Sequence, residues 1–151
     1  MAVLFTMELW THTLAAAVGT VAFSLLFQVP KHLYVYCGFA GAMGWIVYSC
    51  LEADLGAPTA SYFATVMVIV LSRLFAVRER CPATMFLIPG IFPLVPGAGI
   101  YWTSYYIVTN ALPAAVDSGF LAMKVAVAIV LGIVSVFELP QSCFSVAAKE
   151  K

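Results

Sequence analysis

Apolar residues dominate five stretches of this chain, at roughly 6–29, 33–51, 58–77, 83–110 and 118–139, parted by short groups of charged and turn-forming residues. A hydrocarbon core about 30 Å thick takes about 20 helical residues to cross. The pattern therefore predicts five transmembrane helices. The connecting groups are Pro30-Lys31-His32, Glu52 to Ala57, Arg78-Glu79-Arg80-Cys81 and Ala111 to Asp117. None is long or polar enough to separate domains, so residues 1–151 are expected to form one all-α polytopic bundle.

The fourth run differs from the others. It contains Pro89-Gly90-Ile91-Phe92-Pro93-Leu94-Val95-Pro96-Gly97-Ala98-Gly99. Three prolines remove three N–H donors and crowd the carbonyls four residues back, at Met85, Pro89 and Phe92. Hydrocarbon supplies no water to those carbonyls, so such a break persists only where protein buries it or where it lines a wet cavity. From Pro82 to Pro93 a helix climbs about 15–18 Å, which puts the break near mid-membrane. Broken helices at that depth are how many transporters build a substrate site.

Composition agrees with a membrane protein: 64% of the 151 residues are hydrophobic, 9% are charged and the mean hydropathy is +1.03. A soluble domain carries about 25% charged residues. Lys+Arg and Asp+Glu balance at seven each, with no basic stripe for nucleic acid. Met1 to Trp10 lacks the positive start of a signal peptide and is read as mature sequence. The charges instead predict topology. Lys31 follows the first run, Arg78 and Arg80 the third, with Arg73 just inside it, and Lys149 and Lys151 the fifth. The connections after the second and fourth runs carry only Glu52, Asp54 and Asp117. Under the positive-inside rule the N-terminus is outside and the C-terminus inside.

Small residues recur four apart, at Cys37/Gly41, Ala40/Gly44, Ala15/Gly19 and Ala60/Ala64, a spacing that lets helix backbones approach in lipid. Tyr34, Tyr36, Trp45 and Tyr48 are expected at the interfaces of the second span, and Tyr101, Trp102, Tyr105 and Tyr106 crowd the outer half of the fourth.

The second half of the broken span is expected to start at Pro96, exposing the amides of Gly97, Ala98 and Gly99. Proline suits a first helical position, glycines admit a ligand close to the backbone, and a helix N-terminus favours an anion such as a carboxylate. Tyr101 and Thr103 are the nearby polar partners. Carbonyls released near Pro89 and Phe92 are expected to accept from an ammonium group or a proton carrier. Lys124, six residues into the fifth run, is the deepest cation and either snorkels or pairs structurally, or serves the substrate or a proton. Arg73 and Glu138, near the cytoplasmic ends, can reach the interface or each other. The expected substrate path thus comprises Pro89, Gly90, Pro93, Pro96, Gly97, Ala98, Gly99, Tyr101, Thr103 and Lys124. No catalytic grouping supports an enzyme. Cys37, Cys50, Cys81 and Cys143 lack CxxC spacing, and with only His12 and His32 besides, neither a metal site nor a cofactor is expected.

The segment Pro82 to Tyr101 strongly resembles the signature of the threonine/serine exporter (ThrE) family, in the form of its short YjjB-type membrane subunit. Phe27-Gln28-Val29-Pro30-Lys31, Cys37-Gly38-Phe39-Ala40-Gly41-Ala42-Met43-Gly44-Trp45 and Ser72-Arg73 also match. The resemblance implies a plasma-membrane secondary exporter of threonine and serine, or of a dicarboxylate such as succinate. It also implies a longer five-span partner subunit with a hydrophilic N-terminal region. A five-span bundle is small for alternating access, which needs two parts that rock about a site, so a partner or a homo-oligomer is expected. The rival expectation is a non-transporting scaffold that stabilises a larger transporter.

Overall fold

The computed structural model of the chain describes residues 2–138, with side chains from residue 7 onward. Position 139 of the expected fifth span, and Cys143, Lys149 and Lys151, lie outside the described residues. Six helices follow one another: α1 (Ala2–Leu26), α2 (Tyr34–Leu55), α3 (Ala57–Glu79), α4 (Thr84–Ile91), α5 (Gly97–Val108) and α6 (Leu112–Phe137). Single 3-10 turns precede α2 at Lys31–Leu33 and follow α4 at Phe92–Leu94, and no strand occurs among the described residues. In hydrocarbon an α-helix satisfies its own backbone, which is why apolar runs of this length fold this way. Met7–Leu26, Lys31–Leu55, Ala57–Glu79 and Leu112–Phe137 are each long and apolar enough to cross a membrane. Thr84–Leu94 and Gly97–Val108 meet the same criterion only as a pair, bent by 46°.

The helix ends explain where the expected connections shift. Gln28, Arg80 and Asn110 adopt left-handed φ values of 55°, 53° and 60° just past α1, α3 and α5. In each case the next amide reaches back five residues: Val29 to the Ser24 carbonyl, Cys81 to Ala76 and Ala111 to Tyr106. This is the Schellman closure, which ties off the last carbonyls of a helix. Pro30, Pro82 and Pro113 follow within three residues, and Pro113 sits in the first turn of α6. The expected Ala111–Asp117 connection is therefore mostly helix. The Glu52–Ala57 connection shrinks to Gly56 alone, whose φ of 78° and ψ of 162° suit glycine and turn the chain between α2 and α3.

α2 lies between α1 and α3, α6 packs on α3, and α4 is held by α1, α2 and α3. Close approach comes from missing side chains. A Cβ on Gly41 would sit 2.0 Å from Thr20 Oγ1, one on Gly44 2.5 Å from Val68 Cγ2, and one on Gly132 3.0 Å from Thr65 Cβ. The Ala15/Gly19 pair does not play this part: Ala15 is exposed and nothing approaches Gly19 within 4 Å. The buried face of α1 is rotated from it, onto Thr13, Ala16, Thr20 and Ser24. Thr20 and Ser24 keep their hydroxyls satisfied by donating to the Ala16 and Thr20 carbonyls at 2.7 and 2.8 Å. One core gathers Ala64, Val68, Ile69, Leu87, Leu94, Val125, Ile129 and Val136. A second joins Val29, Leu33, Cys37 and Phe86, with the rings of Tyr36 and Phe75 against it. Arg73, expected to reach the interface or Glu138, donates to the Phe137 carbonyl at 3.2 Å and stands over that residue's ring, tying α3 to the C-terminal end of α6.

The Gly41–Thr20 contact makes a direct prediction. Gly41→Ala lowers stability in detergent by about 1–3 kcal/mol through overpacking, and Thr20→Ala in the same chain recovers part of the loss. A Gly41→Ala thermal midpoint equal to that of the parent would rule out the close approach.

Candidate functional site

Each of the three carbonyls that the prolines deprive of a helical donor has found another. The Cys37 thiol lies 3.6 Å from the Met85 carbonyl. The Phe92 amide donates to Pro89, and the Val95 amide to Phe92 at 3.2 Å. The carbonyls of Pro89 and Phe92, expected to accept from an ammonium group or a proton carrier, thus each already accept one backbone donor within the tight 3-10 turn. Val95 is extended, and Pro96 at φ −76° and ψ 54° forms an inverse γ-turn in which the Gly97 amide donates to the Val95 carbonyl at 2.7 Å. The Pro96 carbonyl then accepts from Ile100 at 3.1 Å. Of the three amides expected to be exposed, Gly97 is already engaged. Ala98 and Gly99, in the first turn of α5, have no backbone acceptor among the described residues.

The break is held in place from one side. The Phe92 ring stacks on Phe23 with centroids 3.9 Å apart and touches Phe27 at 5.5 Å, fastening the turn to α1. Leu94 is buried beside Gly44. From there the chain passes to α5, which packs on α6.

A cavity of about 460 Å³ opens where α5 begins. Such a volume suits a small ligand. The segment from Pro93 to Gly99 forms one wall, Leu121, Ala122 and Val125 of α6 another, and Ala57 and Ser61 of α3 a third. The fourth is a polar stripe of α2: Trp45, Tyr48 and Glu52. The Tyr48 hydroxyl donates to Glu52 Oε1 at 2.8 Å, and the Trp45 and Tyr48 rings lie 5.4 Å apart. Trp45 Nε1 is buried and has no acceptor among the described residues.

Pro93, Pro96, Gly97, Ala98 and Gly99 of the expected path therefore share one cavity. The others do not. Pro89 is fully buried inside α4, and Gly90 packs against Val68 and Ala40. Tyr101 is 62% exposed, with its ring against Trp102. Thr103 lines a separate groove of about 310 Å³ between α5 and α6, and its hydroxyl donates to the Gly99 carbonyl at 2.7 Å. Lys124 is exposed on α6, its Nζ 5.2 Å from the centre of the Phe120 ring, and lines neither space. Sequence reasoning missed Trp45, Tyr48 and Glu52, reading the first two as interface aromatics and the third as loop. Their i, i+3, i+7 spacing was the available signal, since it places all three on one helix face.

A family model described as threonine/serine exporter, ThrE, matches residues 12–138. An uncharacterized protein of Haemophilus influenzae is 28% identical over 99 residues, which are 65% of this chain and 33% of that protein. The matched region thus spans about a third of the relative's length. No solved structure matches the chain.

The two flanking glycines of the cavity wall are predicted to behave differently. A Cβ on Gly97 meets nothing within 4 Å, whereas one on Gly99 meets Ala122 Cβ at 3.0 Å. Gly97→Ala should leave the thermal midpoint unchanged, while Gly99→Val costs about 1–3 kcal/mol by wedging α5 from α6. Equal effects of the two would contradict this packing.

Proposed function

Because the chain belongs to the threonine/serine exporter family, we propose that it is a membrane subunit of a secondary exporter for small carboxylate-bearing metabolites. These are threonine and serine, or a dicarboxylate such as succinate. The observation that carries the reading is the pair of uncommitted amides of Ala98 and Gly99, residues that line the cavity at the start of α5. Two adjacent N–H groups at the positive end of a helix are suited to a carboxylate. In this reading α4 and α5 make one broken span, giving five in all, with the N-terminus outside and the C-terminus inside the cell membrane. The partner is a longer five-span subunit with a hydrophilic N-terminal region, or a second copy of the chain. The surface of α5 supports such an arrangement: the helix has no buried residue and packs chiefly on α6.

Efflux of labelled serine, threonine and succinate from cells tests this directly. With the partner present, efflux of at least one cargo should occur and be lost in Gly97→Trp, whose side chain fills the cavity while the complex still assembles. Unchanged efflux in that variant would refute the assignment of the path, and a scaffold role would take its place.

The orientation has its own test. Cys81, between α3 and α4, is cytoplasmic in this reading. Its thiol is pushed above the ordinary value of 9.0 by burial and, secondarily, by the Glu79 charge. With Cys37, Cys50 and Cys143 replaced by serine, a membrane-impermeant maleimide should label Cys81 only after the membrane is opened. A raised pKa means less thiolate at any given pH, so the labelling rate should go on climbing through pH 9. Labelling of intact cells would reverse the orientation.

A further inference from the structure

The α2 wall of the cavity carries chemistry that a carboxylate site does not need. Trp45, Tyr48 and the exposed Glu52, on one helix face, line the same space as Ala98 and Gly99. Glu52 is a carboxylate with no basic side chain within ion-pair distance among the described residues. The Tyr48 hydroxyl occupies Oε1 at 2.8 Å, which orients the group and leaves Oε2 for another donor. Beside it stand two π faces, Trp45 and Tyr48, with centroids 5.4 Å apart. An oriented carboxylate next to aromatic faces is what an ammonium group binds, through charge-assisted hydrogen bonds and cation–π attraction. A second carboxylate brought to the same wall would meet like charge.

Resting on the reading of this cavity as the cargo site, we infer that Glu52, oriented by Tyr48, receives the ammonium group of the cargo, so that the cavity selects a zwitterionic amino acid over a dicarboxylate. Residues of the helix with the free amides and of the helix with the anion line one cavity of about 460 Å³, an arrangement suited to a molecule carrying both charges. Glu52 thereby determines selectivity, and Tyr48 is a positioning residue.

The test compares three cargoes in proteoliposomes holding the full chain and its partner subunit: labelled serine, its deaminated analogue 3-hydroxypropionate, and succinate. The wild type should export serine in preference to succinate. Glu52→Gln should reduce serine export about tenfold or more, the scale expected for losing a charge-assisted contact, while 3-hydroxypropionate changes less than twofold. Tyr48→Phe should move serine in the same direction by less. Asp54→Asn, which removes an exposed carboxylate from the same end of α2 but outside the cavity, should leave the preference intact. Recovery of each variant as a monodisperse complex excludes misfolding as the cause. Serine export within twofold of wild type in Glu52→Gln, or succinate exported as readily as serine, would overturn the assignment. Gly97→Trp separates the two levels. If it blocks export while Glu52→Gln does not, the cavity stands and the ammonium role falls. If neither variant changes export, or the wild type exports none of the three, both readings fall.

Discussion

Where water is excluded a carbonyl stripped of its helical donor needs another, and Pro89, Pro93 and Pro96 create that need three times within eight residues. Everything at the centre of this chain depends on how it is met. Two of the carbonyls are satisfied by tightening the chain into a 3-10 turn, and the third by a thiol on a neighbouring helix. Tightening uses up acceptors and consumes one amide, at Gly97. What survives is an excess of donors, the amides of Ala98 and Gly99. The polarity of the proposed site is therefore a by-product of repairing the break: it presents N–H groups and attracts anions.

Packing supplies the rest of the site. Gly44 lets α2 approach Val68 of α3 and brings Leu94 of the turn against the same spot. One residue further along α2 is Trp45, the first of the three side chains on the cavity wall. The close approach that holds the bundle together thus also sets how near the α2 stripe stands to the start of α5. Enlarging Gly44 would separate the helices and the two halves of the cavity together, so stability and recognition are not independent at that position.

The sequence was most readable where a physical rule acts on a single residue type. Each described helix overlaps one of the expected apolar runs, and α4 and α5 part among the expected prolines. Schellman closures at Gln28, Arg80 and Asn110 were harder to see, because none of these residues is the glycine that usually marks the motif. The trailing prolines at 30, 82 and 113 were the better signal. Within the site, Gly97 and Gly99 looked equivalent in the sequence, yet one faces open space and the other faces Ala122. Thr103 follows Gly99 by one helical turn and was grouped with it by proximity alone; in the structure it lies along a different groove. Glu52 was hidden by its position: a charge near a helix end reads as loop until Gly56 shows that α2 continues past it to Leu55. Such errors share a cause. One-dimensional spacing gives the face of a helix, but not which neighbour that face meets.

The two halves of the broken helix are anchored unequally, and this asymmetry bears on how a substrate would enter and leave. α4 is gripped by α1, α2 and α3, with Phe86 and Pro89 fully buried and Phe92 stacked on α1. α5, about 18 Å long, has no buried residue and rests chiefly on α6. Local rearrangement is least costly where buried contacts are fewest, so within this chain α5, resting on α6, is the less constrained of the two. The pivot is defined by chemistry already in place. Val95 and Pro96 lie between a turn fastened to α1 and a helix that rests on α6, and the segment is spanned by the Val95 amide bond to Phe92 and the Gly97 amide bond to Val95. The α2 wall, bearing Trp45, Tyr48 and Glu52, belongs to the gripped side. A cargo bound between the walls would hold a fixed carboxylate at one end and a movable pair of amides at the other. Alternating access requires a site shared between a part that stays and a part that moves, and that is the division the proposed reading of this cavity calls for.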